Sequence, residues 1–465
     1  NSGFGRRALR LNTTGSSNIA IGEEALGANT TASNNTAVGW NSLSANTTGT
    51  GNTSVGYFAL KSSTTGGYNT GLGSQALKTN TTGELNVAVG RNALELNTTG
   101  SQNTALGKSA LDVNTTASNN TAVGFESLSA NTTGANNVAT GSFSLSGNTT
   151  GAGNTASGFY SLNSNTTAAA NTAFGYEASK QTTTGSENTS VGYQALKANT
   201  TGSNNVVVGV DALKTATAIG NTTAIGYGAL KLNSNTGYQN TAVGYLSLNL
   251  NTTGDSNTAV GRESLEANTT ASNNTGVGYK ALEANTTGAR NTAVGVQSLD
   301  ANTTANENSA LGVWSLHSNT TGAQNTAIGY VSLNTNVSGS KNVGLGYFSL
   351  YANTTGANNV AVGSNSLDAN TTGASNVAIG MNALTAATTA NENVAIGVNS
   401  LQALTTAIKN TAIGHETLQA NTSGTLNTAV GYTTLKSNTT GSNNTAIGGD
   451  ALDSNTTGAE HVAVG

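Results

Sequence analysis

Apolar positions in this chain recur with one fixed period. The Gly of "AVG" falls at Gly5, Gly22, Gly39 and Gly56, and so on to Gly226, always 17 residues apart. One 18-residue step leads to Gly244, and the 17-residue step then runs to Gly465. Columns are numbered 1 to 17 from the Asn of "NTAVG". Column 1 is Asn except at Thr222 and His461, column 2 is mostly Thr or Val, and column 3 is small except at Val207. Column 4 is mostly Val, Ile or Leu, and column 5 is Gly. Column 8 is Ala, Ser or Thr, and column 9 is Leu in every full repeat except the one with Ser179. Columns 12 to 15 read Asn-Thr-Thr-Gly or close to it.

A 17-residue period is too short for a helix pair. Columns 1 to 4 alternate and are rich in β-branched residues, which predicts a strand. Gly at column 5 permits a bend, columns 7 to 11 suit a second strand, and columns 12 to 17 carry turn chemistry. The expected fold is all-β: a parallel β-solenoid of about 27 coils, one continuous array over 1–465. The extra residue sits within 232–240, where a turn absorbs it. At a strand spacing of about 4.8 Å the array would extend roughly 130 Å. The absence of Pro agrees, since ladder N–H groups are needed.

Charge tests the register. All 17 basic and 21 acidic side chains fall in columns 6, 7, 10, 16 or 17. Unpaired ionised groups are costly to bury, so these columns should form the solvent surface. Columns 4 and 9 are then expected to form the core, with a weak point at Ser179. Simple alternation turns columns 3 and 8 outward, yet neither carries charge. That pattern predicts a packed face between identical chains, with Ala195 buried between subunits and Gln194 facing water.

The "NTAVG..SL" and "NVAIG..SL" units (Asn376 to Gly380, Asn393 to Leu401) resemble the head repeats of trimeric autotransporter adhesins, and also segments of phage tail fibres. The resemblance covers the whole chain. It implies a left-handed parallel β-roll packed as a homotrimer. The repeat here is longer than the adhesins' usual one, with Leu at column 9 and an added "NTTG" turn.

Composition narrows the function. The net charge is −4 and no basic stripe exists, so nucleic acid is an unsuitable partner. No apolar run spans a bilayer, there is no Cys for disulfides or thiolate metal sites, and no cofactor is expected. The array reads as a segment of a longer exported protein, at a cell or virion surface. His317, His415 and His461 lie in different columns, far apart, so no catalytic constellation is expected.

Column 6 is often aromatic: Trp40, Tyr57, Phe125, Phe159, Tyr176, Tyr193, Tyr227, Tyr245, Tyr279, Tyr330, Tyr347 and Tyr432. This stripe is either a binding surface for glycans or a host surface, or aromatic stacking along the solenoid edge. "NTT" is a glycosylation sequon, but coils about 4.8 Å apart favour a ladder of Asn amides instead. Repeated Thr raises ice binding, although the Thr-Thr pair sits in a turn. The expected function is therefore a structural fibre or adhesin segment without catalysis. The alternatives are a glycan- or ice-binding solenoid and an end-to-end filament.

Overall fold

A computed structural model of the chain describes every residue except 235 and 236. These two fall within the stretch 232–240 that holds the insertion, so its placement lies partly outside the described residues. The chain divides into two compact units, Asn1–Asn235 and Thr236–Gly465. Each is a parallel β-solenoid.

Each coil contributes one three-residue strand, formed by columns 2 to 4. The first unit holds β1 (Ser2–Phe4) through β14 (Thr223–Ile225), and the second holds β15 (Thr241–Val243) through β28 (Val462–Val464). Within each unit every strand is parallel to the next, and equivalent columns pair without slippage. In β3 (Thr36–Val38) and β4 (Thr53–Val55), Thr36 pairs Thr53, Ala37 pairs Ser54 and Val38 pairs Val55. The period itself enforces this register, because a shift by one residue would turn Ala outward and Val inward.

The strand faces opposite to the expected way. Column 3, not column 4, is the inward residue: Ala20, Ala37 and Ala88 are fully buried. Ile21, Leu72 and Leu106 in column 4 are 45–47% exposed. The reason is space. A Cβ built on Gly71, in column 3, would lie 3.4 Å from the Leu60 side chain. The Leu stack of column 9 fills most of the coil, and the space opposite it is taken by small residues, with Val207 the one larger side chain buried there.

Columns 7 to 11 are not a second strand. They form tight turns closed within the coil, as in Ala25 N–H to Gly22 O (3.4 Å) and Asn29 N–H to Leu26 O (3.2 Å). Columns 7 and 9 take positive φ, 56° at Glu24 and 51° at Leu26. This breaks the alternation of a strand, so Ala25 (column 8) and Leu26 (column 9) both point inward and both are fully buried. The left-handed backbone costs a Leu roughly 1–2 kcal/mol. Burying its side chain recovers about 1.5–3 kcal/mol. Neighbouring turns are also tied together, as in Leu26 N–H to Ser42 O at 3.1 Å.

Column 5 shows why its Gly has no exception. Gly39 has φ +131°, and a Cβ there would sit 2.5 Å from the Gly56 carbonyl oxygen of the next coil.

The Asn columns form two internal ladders. In column 1, Asn35 N–H donates to Asn18 Oδ1 of the preceding coil (3.0 Å). In column 12, Asn46 Nδ2 donates to Asn29 Oδ1 (2.8 Å). Both columns also converge on the column 15 carbonyl: Asn35 and Asn46 each donate to Gly49 O at 3.0 Å. These amides are fully buried, and their Nδ2 groups close the turn on the Gly49 carbonyl. Beside them the column 13 hydroxyls form a third ladder, as in Thr47 Oγ1 to Thr64 O at 3.0 Å.

Candidate functional site

Two surfaces leave the coil with features that packing within one chain does not use. The first is the outer face of the strands. Columns 2 and 4 present Thr or Val and Val, Ile or Leu, and no charged residue occupies either column in any of the 28 strands. In β2 through β27 both positions are half-buried or exposed while the residue between them is buried. Isolated exposed apolar residues are ordinary, but a contiguous apolar band running along each unit is not.

Columns 3 and 8, read from sequence as an intersubunit face, are interior to the coil. Ala195 is fully buried by its own chain. Their lack of charge follows from that burial. Gln194 in column 7 is only 8% exposed and donates to Glu177 Oε2 at 2.8 Å, so it does not face water. Column 7 side chains lie along the coil edge, where ion pairs span neighbouring coils. Glu177 meets Lys180 Nζ and Lys197 Nζ, both at 2.7 Å. Burial pushes its pKa up, but the hydrogen bonds from Lys180, Lys197 and Gln194 outweigh that and lower it to about 2. Asp211 repeats the arrangement with Lys214 and Lys231.

The second surface is the aromatic edge. All twelve column 6 aromatics are exposed, from Phe125 at 37% to Tyr432 at 61%. They form separate groups rather than one continuous stripe. Trp40 stacks on Tyr57, with centroids 5.1 Å apart and planes at 17°. Phe159, Tyr176 and Tyr193 stack in succession at 5.6 and 5.2 Å, and Phe143 links Phe125 to Phe159 edge-on. Arg262 lies between Tyr245 and Tyr279, its guanidinium carbon 5.6 and 5.8 Å from their ring centroids. Tyr432 stacks on His415 at 5.4 Å, and Tyr330 on Tyr347 at 5.7 Å. Tyr227 is exposed on the same column of its own coil.

The last of these groups opens into a hollow of about 350 Å³, lined by Trp314, Tyr330, Phe348 and Tyr351 with His317, Val331 and Asn334. Sequence reading of column 6 alone found only Tyr330 of this set. Trp314 and Phe348 belong to column 7, and His317 and Tyr351 to column 10. A signal was present, since Tyr351 and His317 are the only ring-bearing residues in column 10.

The acidic groups do not make a comparable site. The carboxylates of Glu263, Glu266 and Glu283 come within 4.8 Å of one another. Arg262 and Lys280 already pair with Glu263 at 2.9 and 3.4 Å, and Lys280 with Glu283 at 2.8 Å. Asp112 lines a second hollow with Glu126 and Ser109. Burial, with Glu95 and Glu126 adding repulsion, raises its pKa to about 6. Among the described residues no helix is long and apolar enough to cross a membrane.

No protein-family model matches the chain, and no curated protein matches it.

Proposed function

We propose that the chain is a structural segment of an extracellular surface fibre or adhesin that projects or displays a binding surface, and that it carries out no catalysis. In this reading three copies wind left-handed rolls and pack about a common axis through the strand faces of columns 2 and 4. The resemblance to trimeric adhesin heads motivates the symmetry. The observation that carries the reading is the uncharged, half-exposed, mostly aliphatic face, exemplified by Ile21, Ile328 and Ile379 at 37–45% exposure. Burying such a band between chains removes apolar surface from water, at about 25 cal/mol per Å².

The test is the solution mass of the 46.0 kDa chain, measured by light scattering before and after Val191→Glu. Val191 is in column 4 and exposed. A trimer mass, with weaker association in the variant and unchanged circular dichroism, supports the reading. A monomer mass for the parent chain sinks it.

A second reading has one observation in its favour. Column 2 Thr and column 4 Val or Ile stand at alternate positions of one regular strand stack, as in Thr241–Val243 and Thr258–Val260. Such an array of hydroxyls and methyls could order water into ice. Thermal hysteresis of the purified chain separates this reading from the fibre, for which none is expected.

A further inference from the structure

We propose that the hollow on coils 312–351 is a carbohydrate site that takes a neutral pyranose ring of a glycan. It is argued from the side chains at one place and stands whether or not copies of the chain associate.

Five rings cluster there at mixed angles. Tyr330 and Tyr347 lie nearly parallel, 13° apart, while Trp314 is tilted 44° to Tyr330. Phe348 is tilted 41° to Tyr347, and Tyr351 37° to Phe348. Aromatic faces carry partial negative charge. The C–H bonds on one side of a pyranose ring are weakly positive and lie flat against such a face. A hollow of about 350 Å³ lies at the small end of ligand sites, which begin near 300 Å³.

Two of the polar groups at the hollow, those of Trp314 and Asn334, are held by hydrogen bonds. Trp314 Nε1 donates to Gln297 Oε1 at 3.0 Å, which holds the indole. Asn334 Nδ2 donates to the Trp314 carbonyl at 2.9 Å, which leaves the amide oxygen as an acceptor. His317 Nδ1 lies 2.6 Å from Asp300 Oδ1, and that carboxylate is 11% exposed. Neither of these two atoms makes a hydrogen bond, and the imidazole adds its ring nitrogens to the polar groups at the hollow. The phenol groups of Tyr330 and Tyr351 add two hydroxyls that both donate and accept. Aromatic faces bordered by hydrogen-bonding groups match a sugar, which presents an apolar face and a rim of hydroxyls. The lining holds no Lys or Arg to favour an anionic sugar.

The chain's two Trp residues supply the assay. Trp40→Phe in the full chain leaves Trp314 as the only indole. Its emission is titrated with tetrasaccharides of β-linked glucose and of β-linked N-acetylglucosamine, with a sialylated trisaccharide, and with choline chloride. A saturable change with a neutral oligosaccharide is expected. Phe348→Ala should weaken it by about tenfold or more, and Tyr193→Ala, on a separate stack, should leave it unchanged. Should Phe348→Ala perturb the circular dichroism, Tyr351→Phe replaces it, since it removes a hydroxyl that can bond a sugar and keeps the ring. The proposal is overturned if no neutral oligosaccharide gives a saturable change. It is also overturned if only choline or the sialylated sugar does, or if the hollow variants bind as the parent does.

Discussion

The hydroxyl of Ser179 donates to that of Ser190, Oγ to Oγ at 2.8 Å, inside a coil where other repeats pack Leu against a small residue. Both groups are buried. The polar residue in the Leu column is therefore not an unfilled gap but half of a satisfied pair. Replacing Ser179 takes away the hydroxyl that Ser190 accepts from and leaves Ser190 only its longer bond to the Thr172 carbonyl at 3.4 Å, so part of the cost of an unmet buried hydroxyl, about 1–3 kcal/mol, offsets the gain from Leu. Ser179→Leu alone should change stability little. Ser179→Leu with Ser190→Ala should stabilise the coil by about 2 kcal/mol. Solenoid coils open locally, so slower hydrogen exchange at the amides of residues 179–190 is the readout. Equal exchange in the single and double variants would contradict the pairing.

The column 12 ladder is interrupted where Asn is missing, and the interruption leaves a trace. Ser63 follows Asn46, Thr182 follows Asn165 and Ala387 follows Asn370, and in each case the preceding Asn Oδ1 is buried without a partner. Ser63→Asn should restore donation to Asn46 Oδ1 and accept from Asn80 Nδ2. A gain of about 1 kcal/mol is expected, seen as slower exchange at the flanking amides. Faster exchange would mean that the site cannot hold the amide.

Ala195 and Val191 lie four residues apart on opposite sides of the coil wall. Ala195→Glu places a carboxylate in the fully buried interior. It should open its coil in the isolated chain, at a cost of several kcal/mol. Val191→Glu should leave the isolated chain's circular dichroism and exchange unchanged. A silent Ala195→Glu would show that column 8 does not face the interior.

Glu177 makes stability fall in acid. Its pKa is depressed in the folded chain, from 4.5 to about 2. Its contribution is complete above about pH 4.5 and disappears as pH falls toward 2. Solvent screening reduces the effect to about 1–2 kcal/mol. Glu177→Gln should weaken the coil at pH 7 and match the parent near pH 2, measured by exchange or limited proteolysis at both pH values.

Asp112 acts with the opposite sign. Burial first, then Glu95 and Glu126, raises its folded pKa from 3.8 to about 6. The folded chain therefore holds a proton that the unfolded chain releases between those values. The cost of the charge is absent below about pH 3.8 and complete above pH 6. Asp112→Asn should stabilise the coil at pH 7 by about 1–2 kcal/mol, with the gain vanishing below pH 4. A gain independent of pH would show that the charge is not its source.

Several features were legible in the residues alone. The invariant Gly spacing specifies coils of 17, because only Gly accepts a φ near +131° with the next coil's carbonyl against its Cα, as at Gly39. The Leu of column 9 announces a buried stack, and the Asn of columns 1 and 12 suit ladders. Sidedness was not legible. Hydrophobicity alone puts Val38 inside and Ala37 outside, but the Leu stack leaves little space opposite it, and the small residue takes the inward place. Nor does sequence show that columns 7 and 9 adopt left-handed backbone, which turns two adjacent side chains, Ala25 and Leu26, the same way. The aromatic cluster was divided among columns 6, 7 and 10 in sequence. Trp314, Tyr330, Phe348 and Tyr351 line one hollow only because parallel stacking sets successive coils about 4.8 Å apart, within reach of one another's rings.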